Sequence, residues 1–143
     1  EYVRSQDRAT ELITRIRPDH SQLCVNIRGN STASGAAAVQ WPCGNGSNEK
    51  FTVKSLAGGY VQFVAQHSNL CLAQSGTATS GALMVQLACT DGNTTQWTQV
   101  GSTLRNRASG ACLDVPNSST TQDTQLVTWT CNGGNNQNWT QLP

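Results

Sequence analysis

A chain of 143 residues with 36% hydrophobic content is long enough for one compact domain with a modest core, and too short for two. Its formal net charge is +1 and only 12% of its residues are charged, against about 25% in an average soluble protein. This composition argues against a nucleic-acid surface, which would need clustered Lys and Arg. No apolar run approaches the roughly 18 residues that a membrane span requires.

The chain is predicted to consist of short strands joined by turns. Residues 1–10 are interpreted as a lead-in or linker, and a short helix over residues 6–16 is an alternative that the pattern leaves open. Alternating runs at residues 13–16, 60–64 and 126–129 carry β-branched and aromatic side chains at every second place, which indicates strands. Clusters of Gly, Asn and Ser lie between such runs and favour turns.

One spacing occurs three times. A Cys is followed 18 or 19 residues later by a second Cys, and eight residues after that by a large aromatic residue. The three series are Cys24, Cys43, Phe51; Cys71, Cys89, Trp97; and Cys112, Cys131, Trp139. Such a period indicates one supersecondary unit repeated over about residues 11–54, 55–100 and 101–143. Three repeats of about four strands predict an all-β fold, a β-trefoil with pseudo-threefold symmetry, in which the closing aromatics belong to the core.

The six cysteines are predicted to form disulfides. Zinc sites favour close pairs such as C-x2-C, whereas the nearest partners here are 18 or 19 residues apart. Six cysteines allow 15 pairings, but equivalent positions in each repeat select one set: Cys24–Cys43, Cys71–Cys89 and Cys112–Cys131. Disulfides indicate a secreted, extracellular protein. The sequence implies no metal and no cofactor.

Three motifs carry a family resemblance. The C-L-D-V opening of the third repeat, the V-Q-W-P-C centre of the first and the ending at residues 137–139 resemble the ricin B-chain lectin fold, also called carbohydrate-binding module family 13. The likeness covers about residues 11–143. It implies a β-trefoil with up to three shallow sugar sites, one in each repeat.

The resemblance implies a complete sugar site in the third repeat. Family sites use an Asp two residues after the first Cys, an aromatic two residues before the second, and an Asn-Gln pair before the closing Trp. Asp114, Trp129, Asn136 and Gln137 occupy these positions. An indole can stack on the C–H face of a sugar, and a carboxylate can accept hydrogen bonds from vicinal hydroxyls. Asn136 would add a donor and an acceptor, and Gln137 would orient Asp114 or its loop.

The other repeats depart from this pattern. The first offers Asn26, Trp41 and Asn48, followed by Glu49, and is interpreted as a weak or retuned second sugar site. The second has lost all four positions and is interpreted as structural; its residues there are Ala73, Leu87, Thr94 and Thr95.

One loop position also breaks the symmetry. Asp123 stands where the other repeats have Gly35 and Gly81. Asp123 is therefore expected to reshape the loop that faces the third-repeat site.

We expect non-catalytic carbohydrate binding, chiefly by the third repeat, to a galactose-type sugar or to an arabinose- or xylose-containing polysaccharide. The expected partners are this carbohydrate and a covalently linked catalytic domain of a secreted glycoside hydrolase. Two alternatives stay open. A glycosidase would need paired carboxylates, for which Asp114 and Asp123 are the nearest candidates, and a protein-interaction or inhibitor trefoil would not bind sugar. His20 and His67, four residues before Cys24 and Cys71, are interpreted as turn residues.

Overall fold

The computed structural model describes residues 12–143. The predicted lead-in of residues 1–10 lies outside the described residues. Within them, twelve short strands alternate with turns and there is no α-helix. The strands are β1 (Leu12–Pro18), β2 (Cys24–Ile27), β3 (Ala38–Trp41), β4 (Phe51–Ser55), β5 (Val61–Ala65), β6 (Cys71–Gln74), β7 (Ala82–Leu87), β8 (Trp97–Val100), β9 (Thr103–Asn106), β10 (Cys112–Asp114), β11 (Val127–Trp129) and β12 (Trp139–Leu142).

The described part of the alternative helix, from residue 12 onward, is strand β1. Its buried residues alternate with more exposed ones, as in Thr14, Ile16 and Pro18, so the two-residue period determines the structure here. The predicted strands at residues 60–64 and 126–129 correspond to β5 and β11.

The twelve strands form the three-repeat trefoil that the spacing predicts. Antiparallel pairs connect β12, β1, β4, β5, β8 and β9 in that order. The Trp139 N–H donates to the Ser102 carbonyl, which brings β12 back to the start of β9. Three hairpins, β2–β3, β6–β7 and β10–β11, extend from these six strands, one for each repeat.

The disulfide pairing is confirmed. Each bridge joins the first strand of a hairpin to the segment that follows its second strand, with Cα–Cα distances of 5.0, 5.0 and 5.2 Å. Loops of about 20 residues, closed in this way, stabilise a fold by about 3 kcal/mol each in the chain-entropy model. The bridges therefore tie the two ends of every hairpin together.

The closing aromatics are core residues, as predicted. Phe51 and Trp97 are fully buried and Trp139 is 5% exposed. The two buried indole N–H groups donate to the carbonyls of Leu72 and Leu113, on β6 and β10. These bonds attach hairpins β6–β7 and β10–β11 to the core and satisfy polar groups that would otherwise be costly to bury.

The loop of one repeat is fastened to the hairpin of another repeat. The buried Gln40 amide, on β3, donates to the carbonyls of Ser119 and Thr121 in the third repeat. His20 donates from Nε2 to the same Ser119 carbonyl, and His67 donates from Nε2 to the Ser31 carbonyl. The histidines are thus loop anchors, and the third-repeat loop lies against the first-repeat hairpin.

Candidate functional site

Hairpin β10–β11 places the predicted carboxylate and aromatic of the third repeat on one face. Cys112 pairs with Trp129 and Asp114 pairs with Val127. Side chains alternate between the faces of a strand, so Asp114, Val127 and Trp129 point the same way. Asp114 is 4% exposed and Trp129 is 45% exposed. The arrangement is a recessed carboxylate beside an exposed indole.

The turn before the closing Trp brings both amides to Asp114. Oδ2 of Asp114 accepts hydrogen bonds from Gln137 Nε2 at 2.8 Å and from Asn136 Nδ2 at 3.3 Å. Asn136 also donates to the Val115 carbonyl. Within residues 12–143, no hydrogen bond reaches Oδ1 of Asp114. One carboxylate oxygen is therefore held by the protein, and the other is available to a ligand.

Gln137 is fully buried and serves as a positioning residue. Its Nε2 donates to Asp114 and to the Thr130 carbonyl, while its Oε1 accepts from the Asn132 N–H. Every polar atom of the amide is thus engaged. Asn136 is half-buried and lines the cavity; its Nδ2 donates to Asp114 and to the Val115 carbonyl, so its Oδ1 can accept a hydrogen bond from a bound molecule.

Burial raises the pKa of the Asp114 carboxyl above its ordinary value of 3.8. The hydrogen bond from Gln137 and the charge of His20 oppose this effect. Desolvation disfavours the ionised form, whereas donors and nearby cations favour it. A carboxylate that is poorly hydrated and held in one orientation loses little solvation free energy when ligand hydroxyls replace its remaining water.

The third-repeat cavity has a volume of about 740 Å³ and is open to solvent. Three of the four residues of the predicted sugar site line it: Asp114, Trp129 and Asn136. Sequence reasoning missed five further lining residues: Pro116, Asn117, Ser118, Asn132 and Gly134. A signal for the first three was present, because a Pro-Asn-Ser run directly after a strand favours a tight turn. The left-handed φ values of Asn117 and Ser118 show that turn.

The first repeat builds a smaller cavity of about 400 Å³ on the same plan. Trp41 is 39% exposed and pairs with Cys24, as Trp129 pairs with Cys112. Asn26 Nδ2 donates to Glu49 Oε2 at 2.8 Å, and the Gly44 N–H donates to Glu49 Oε1. The strand therefore carries the amide and the turn carries the carboxylate, which reverses the Asp114–Gln137 pair.

Asn48 occupies the place predicted for it. Its Nδ2 donates to Asn26 Oδ1 at 3.2 Å and to the Ile27 carbonyl at 2.9 Å, as Asn136 does in the third repeat. The structure thus brings the three predicted first-repeat residues together around one cavity.

The expectation for Asp123 was wrong. Asp123 lines the first-repeat cavity, not the third-repeat cavity, because its loop packs on hairpin β2–β3 through the Asp123 N–H and the Gln40 carbonyl. The loop that faces Trp129 comes from the second repeat: a Cβ on Gly81 would lie 3.7 Å from the Trp129 ring. The order of residues along the chain suggested that the Asp123 loop faces the third-repeat cavity. In the trefoil, the loop that contains Gly81 lies there instead.

The second repeat has neither a carboxylate nor an aromatic at the equivalent positions. Ala73 and Thr95 are buried. Gln62, from β5, donates to Thr95 Oγ1 at 2.9 Å and to the Cys89 carbonyl at 2.7 Å. A side chain from a neighbouring strand thus holds this turn, which in the other repeats is held by its own Glu49 or Gln137.

Among residues 12–143, the two carboxylates considered for a glycosidase lie apart. Asp114 and Asp123 line different cavities, so they do not form the carboxylate pair considered for a glycosidase. Residues 12–143 contain no group of three or more His, Cys, Asp or Glu that could hold a metal ion. In the same residues, no helix is long and apolar enough to cross a membrane.

A family model described as "Ricin-type beta-trefoil lectin domain" matches residues 12–139. The comparison with curated proteins found no match. A designed threefold-symmetric protein, ThreeFoil, is similar with 29% identity and a TM-score of 0.87, over 92% of this chain and 98% of that chain.

Two natural proteins show the same fold at lower identity. An exo-β-1,3-galactanase from Clostridium thermocellum is 22% identical with a TM-score of 0.84, over 91% of this chain and 30% of that one. The Macrolepiota procera ricin B-like lectin, in complex with lactose, is 18% identical with a TM-score of 0.75, over 92% of this chain and 94% of that one.

Proposed function

Because this chain belongs to the ricin-type β-trefoil lectin family, a family whose function is carbohydrate binding, we propose that it binds saccharides chiefly through the third-repeat cavity. One observation carries the proposal: Asp114 keeps Oδ1 available beside the exposed Trp129, while Gln137 and Asn136 hold Oδ2. The indole stacks on the C–H face of the sugar, and Oδ1 accepts hydrogen bonds from its hydroxyls.

The proposed ligands are galactose-type sugars, or arabinose- and xylose-containing polysaccharides. The lactose complex of the Macrolepiota procera lectin supports the first choice, since lactose contains galactose. An open cavity with one carboxylate and one indole fits a terminal or branching sugar unit. A single such site would bind a monosaccharide weakly, with a dissociation constant on the order of 1 mM.

The proposed setting is a targeting module of a secreted glycoside hydrolase. The galactanase supports this proposal, because a trefoil similar to this chain makes up 30% of that enzyme. Three disulfides are typical of extracellular proteins. Attachment to a catalytic domain would make weak sugar binding useful, since tethering raises the effective concentration of the enzyme at a polymer. The module itself would carry no catalytic residue.

Four indole N–H resonances in the NMR spectrum provide the test. Trp97 and Trp139 are buried, whereas Trp41 and Trp129 are exposed in the two cavities. The chain is titrated with galactose, lactose, arabinose, xylose and short xylan and arabinan fragments. We expect the Trp129 resonance to shift with at least one of these sugars. Asp114→Ala should weaken that binding by about 10-fold to 150-fold, since a charge-assisted hydrogen bond contributes about 1.5–3 kcal/mol.

Unchanged resonances of the two buried indoles would show that the variant is folded. If no sugar moves the Trp129 resonance, or if Asp114→Ala leaves its dissociation constant unchanged, the proposed function is wrong. A protein-interaction or inhibitor trefoil would then be the alternative.

A further inference from the structure

We propose that the first-repeat cavity is a composite saccharide site whose carboxylate comes from the neighbouring repeat. Asp123, held by Arg28, takes the role that Asn26 cannot fill, and the site selects neutral saccharides with vicinal hydroxyls. This inference rests on the proposed function, because it assigns a ligand class and a specificity-determining pair to a second cavity of the same lectin.

The strand position of this cavity supplies no charge. Asn26 spends one Nδ2 hydrogen on Glu49 and accepts at Oδ1 from Asn48. Glu49 is 3% exposed, and its two oxygens accept from Asn26 and from the Gly44 N–H. The Glu49 carboxylate is therefore committed to the turn. A ligand on Trp41 would meet only the second hydrogen and second lone pair of a neutral amide.

The wall of the cavity supplies the missing charge. Arg28 Nε donates to Asp123 Oδ1 at 2.9 Å, and Arg28 NH2 donates to the Asp123 carbonyl at 3.2 Å. Both side chains line the cavity with Trp41 and are about half exposed. Among residues 12–143, no hydrogen bond reaches Asp123 Oδ2. One oxygen is thus held and the other is available, as in Asp114.

The backbone at Asp123 points to a role for this carboxylate. Asp123 has a φ of 71°, in the left-handed region, and the equivalent Gly35 and Gly81 have φ values of 91° and 81°. Glycine adopts this conformation at lower cost than a residue with a Cβ. The chain therefore carries an acidic side chain at the loop position where its other repeats have the less strained residue.

The charge balance determines the ligand class. The cavity region contains one cation, Arg28, and two carboxylates, Asp123 on the wall and Glu49 beneath Asn26. An acidic sugar would meet a net negative environment and is disfavoured. A vicinal diol fits better, because it can donate to Asp123 Oδ2 and accept from the guanidinium of Arg28.

The experiment follows the Trp41 and Trp129 indole resonances in a single titration of the chain, assigned with Trp41→Phe. The probes are galactose, lactose, arabinose, xylose and galacturonate. Asp123→Gly restores the symmetric loop residue without backbone strain, and Asp123→Asn keeps the shape but removes the charge. We expect at least one neutral sugar to shift Trp41. Asp123→Gly should weaken this binding at least tenfold and Asp123→Asn about threefold to tenfold, with Trp129 affinity unchanged within twofold.

Three results would overturn the inference while leaving the proposed function intact, each with a normal Trp129 response. They are a Trp41 resonance that no neutral sugar shifts, Trp41 affinities within twofold of the unmodified chain in both variants, and tighter binding of galacturonate than of the neutral sugars at Trp41. A silent Trp129 resonance would instead overturn the proposed function.

Discussion

The first and third repeats each have an exposed indole at the same position of the hairpin. They differ in the hydrogen-bonded pair beside it, because the carboxylate and the amide occupy opposite positions in the two repeats. In the third repeat the strand bears the carboxylate, Asp114, and the turn bears the amide, Gln137. In the first repeat the strand bears Asn26 and the turn bears Glu49. Both pairs form a 2.8 Å hydrogen bond. The strand-to-turn bond is therefore the common feature, and the position of the charge is what differs.

The second repeat shows what this bond contributes to the fold. There the turn is held by Gln62, which donates to Thr95 and to the Cys89 carbonyl. Hairpin β6–β7 forms with the same kind of register as the other two. A trefoil turn thus needs a buried hydrogen-bonding partner, and it needs neither a carboxylate nor an indole.

Gln137→Glu should have the largest effect on stability. It would place a second carboxylate against Asp114 where a 2.8 Å hydrogen bond now lies, and would remove a donor from the Thr130 carbonyl. We expect a loss of about 2–3 kcal/mol in the free energy of unfolding, measured by urea denaturation near neutral pH.

Adding Asp114→Asn to Gln137→Glu reproduces the first-repeat pair and should recover at least half of that loss. The reciprocal change in the first repeat is Glu49→Gln, which turns one accepting oxygen into an NH2 group that faces a donor and should cost about 1–3 kcal/mol. Adding Asn26→Asp to Glu49→Gln reproduces the third-repeat pair and should recover part of that loss. Equal losses for Gln137→Glu alone and for the double variant would contradict this account of the pair.

Acid pH should weaken sugar binding at the third repeat, because it protonates the Asp114 carboxylate. Ligand hydroxyls donate to the ionised carboxylate, and its pKa is raised by burial. Affinity at Trp129 should be constant near neutral pH and should fall about tenfold for each unit below that raised pKa. Asp114→Asn should bind weakly at all pH values, and a variant that kept the acid-dependent loss would refute the assignment.

The same raised pKa has an opposite consequence for stability. The pKa of Asp114 is higher in the folded chain than its unfolded value of 3.8, so the protonated carboxyl favours the folded state. Its contribution to the free energy of unfolding is fully present at a pH below 3.8 and is lost as the pH rises through the folded pKa. Ionised Asp114 therefore costs stability at neutral pH. Asp114→Asn should have a thermal midpoint equal to or above that of the unmodified chain at pH 7, although it binds sugar poorly. A clearly lower midpoint would contradict the desolvation argument.

Removing each indole should affect its own site. Trp129→Ala and Trp41→Ala delete exposed side chains that line separate cavities. We expect each to weaken binding in its own cavity by about fivefold to tenfold, which corresponds to about 1–1.4 kcal/mol. Isothermal titration of the two single variants and the double variant measures this. Because the cavities share no lining residue, the effects should add, and a strong departure from additivity would indicate one shared site.

Asp123→Gly should have the smallest effect on stability. It relieves the cost of a left-handed φ of 71° but removes an ion pair whose members are about half exposed. Exposed ion pairs contribute about 0–1 kcal/mol, so the two terms nearly cancel. We expect a change under about 1 kcal/mol in urea denaturation. A larger loss would show that the Arg28–Asp123 pair is a structural element.

Much of the fold could be predicted from periodicity. The cysteine spacing determined the disulfides, and the aromatic eight residues later belongs to the core in every repeat. In β1 the residues form a strand and not the weaker helical alternative, since Thr14, Ile16 and Pro18 are buried at a two-residue period.

The site was predictable only as far as one repeat determines it. Asp114, Trp129, Asn136 and Gln137 meet because their distances along the chain follow from one hairpin and its turn. The position of Asp123 was not predictable in this way, because its loop crosses to the hairpin of the first repeat. The hydrogen bond between Asn26 and Glu49 was also missed. Each position was compared with the motif separately, and that comparison does not show that the amide and the carboxylate have exchanged places between strand and turn.

The most direct measurement is a crystal structure of the chain with the tightest-binding monosaccharide of the panel. The account predicts a sugar ring stacked on Trp129, with hydroxyls donating to Asp114 Oδ1 and contacting Asn136. At higher concentration it predicts a second sugar on Trp41 beside Asp123. A sugar bound at Leu87 in the second repeat, or at neither Trp129 nor Trp41, would contradict the claim that a carboxylate beside an exposed indole is the binding unit of this trefoil.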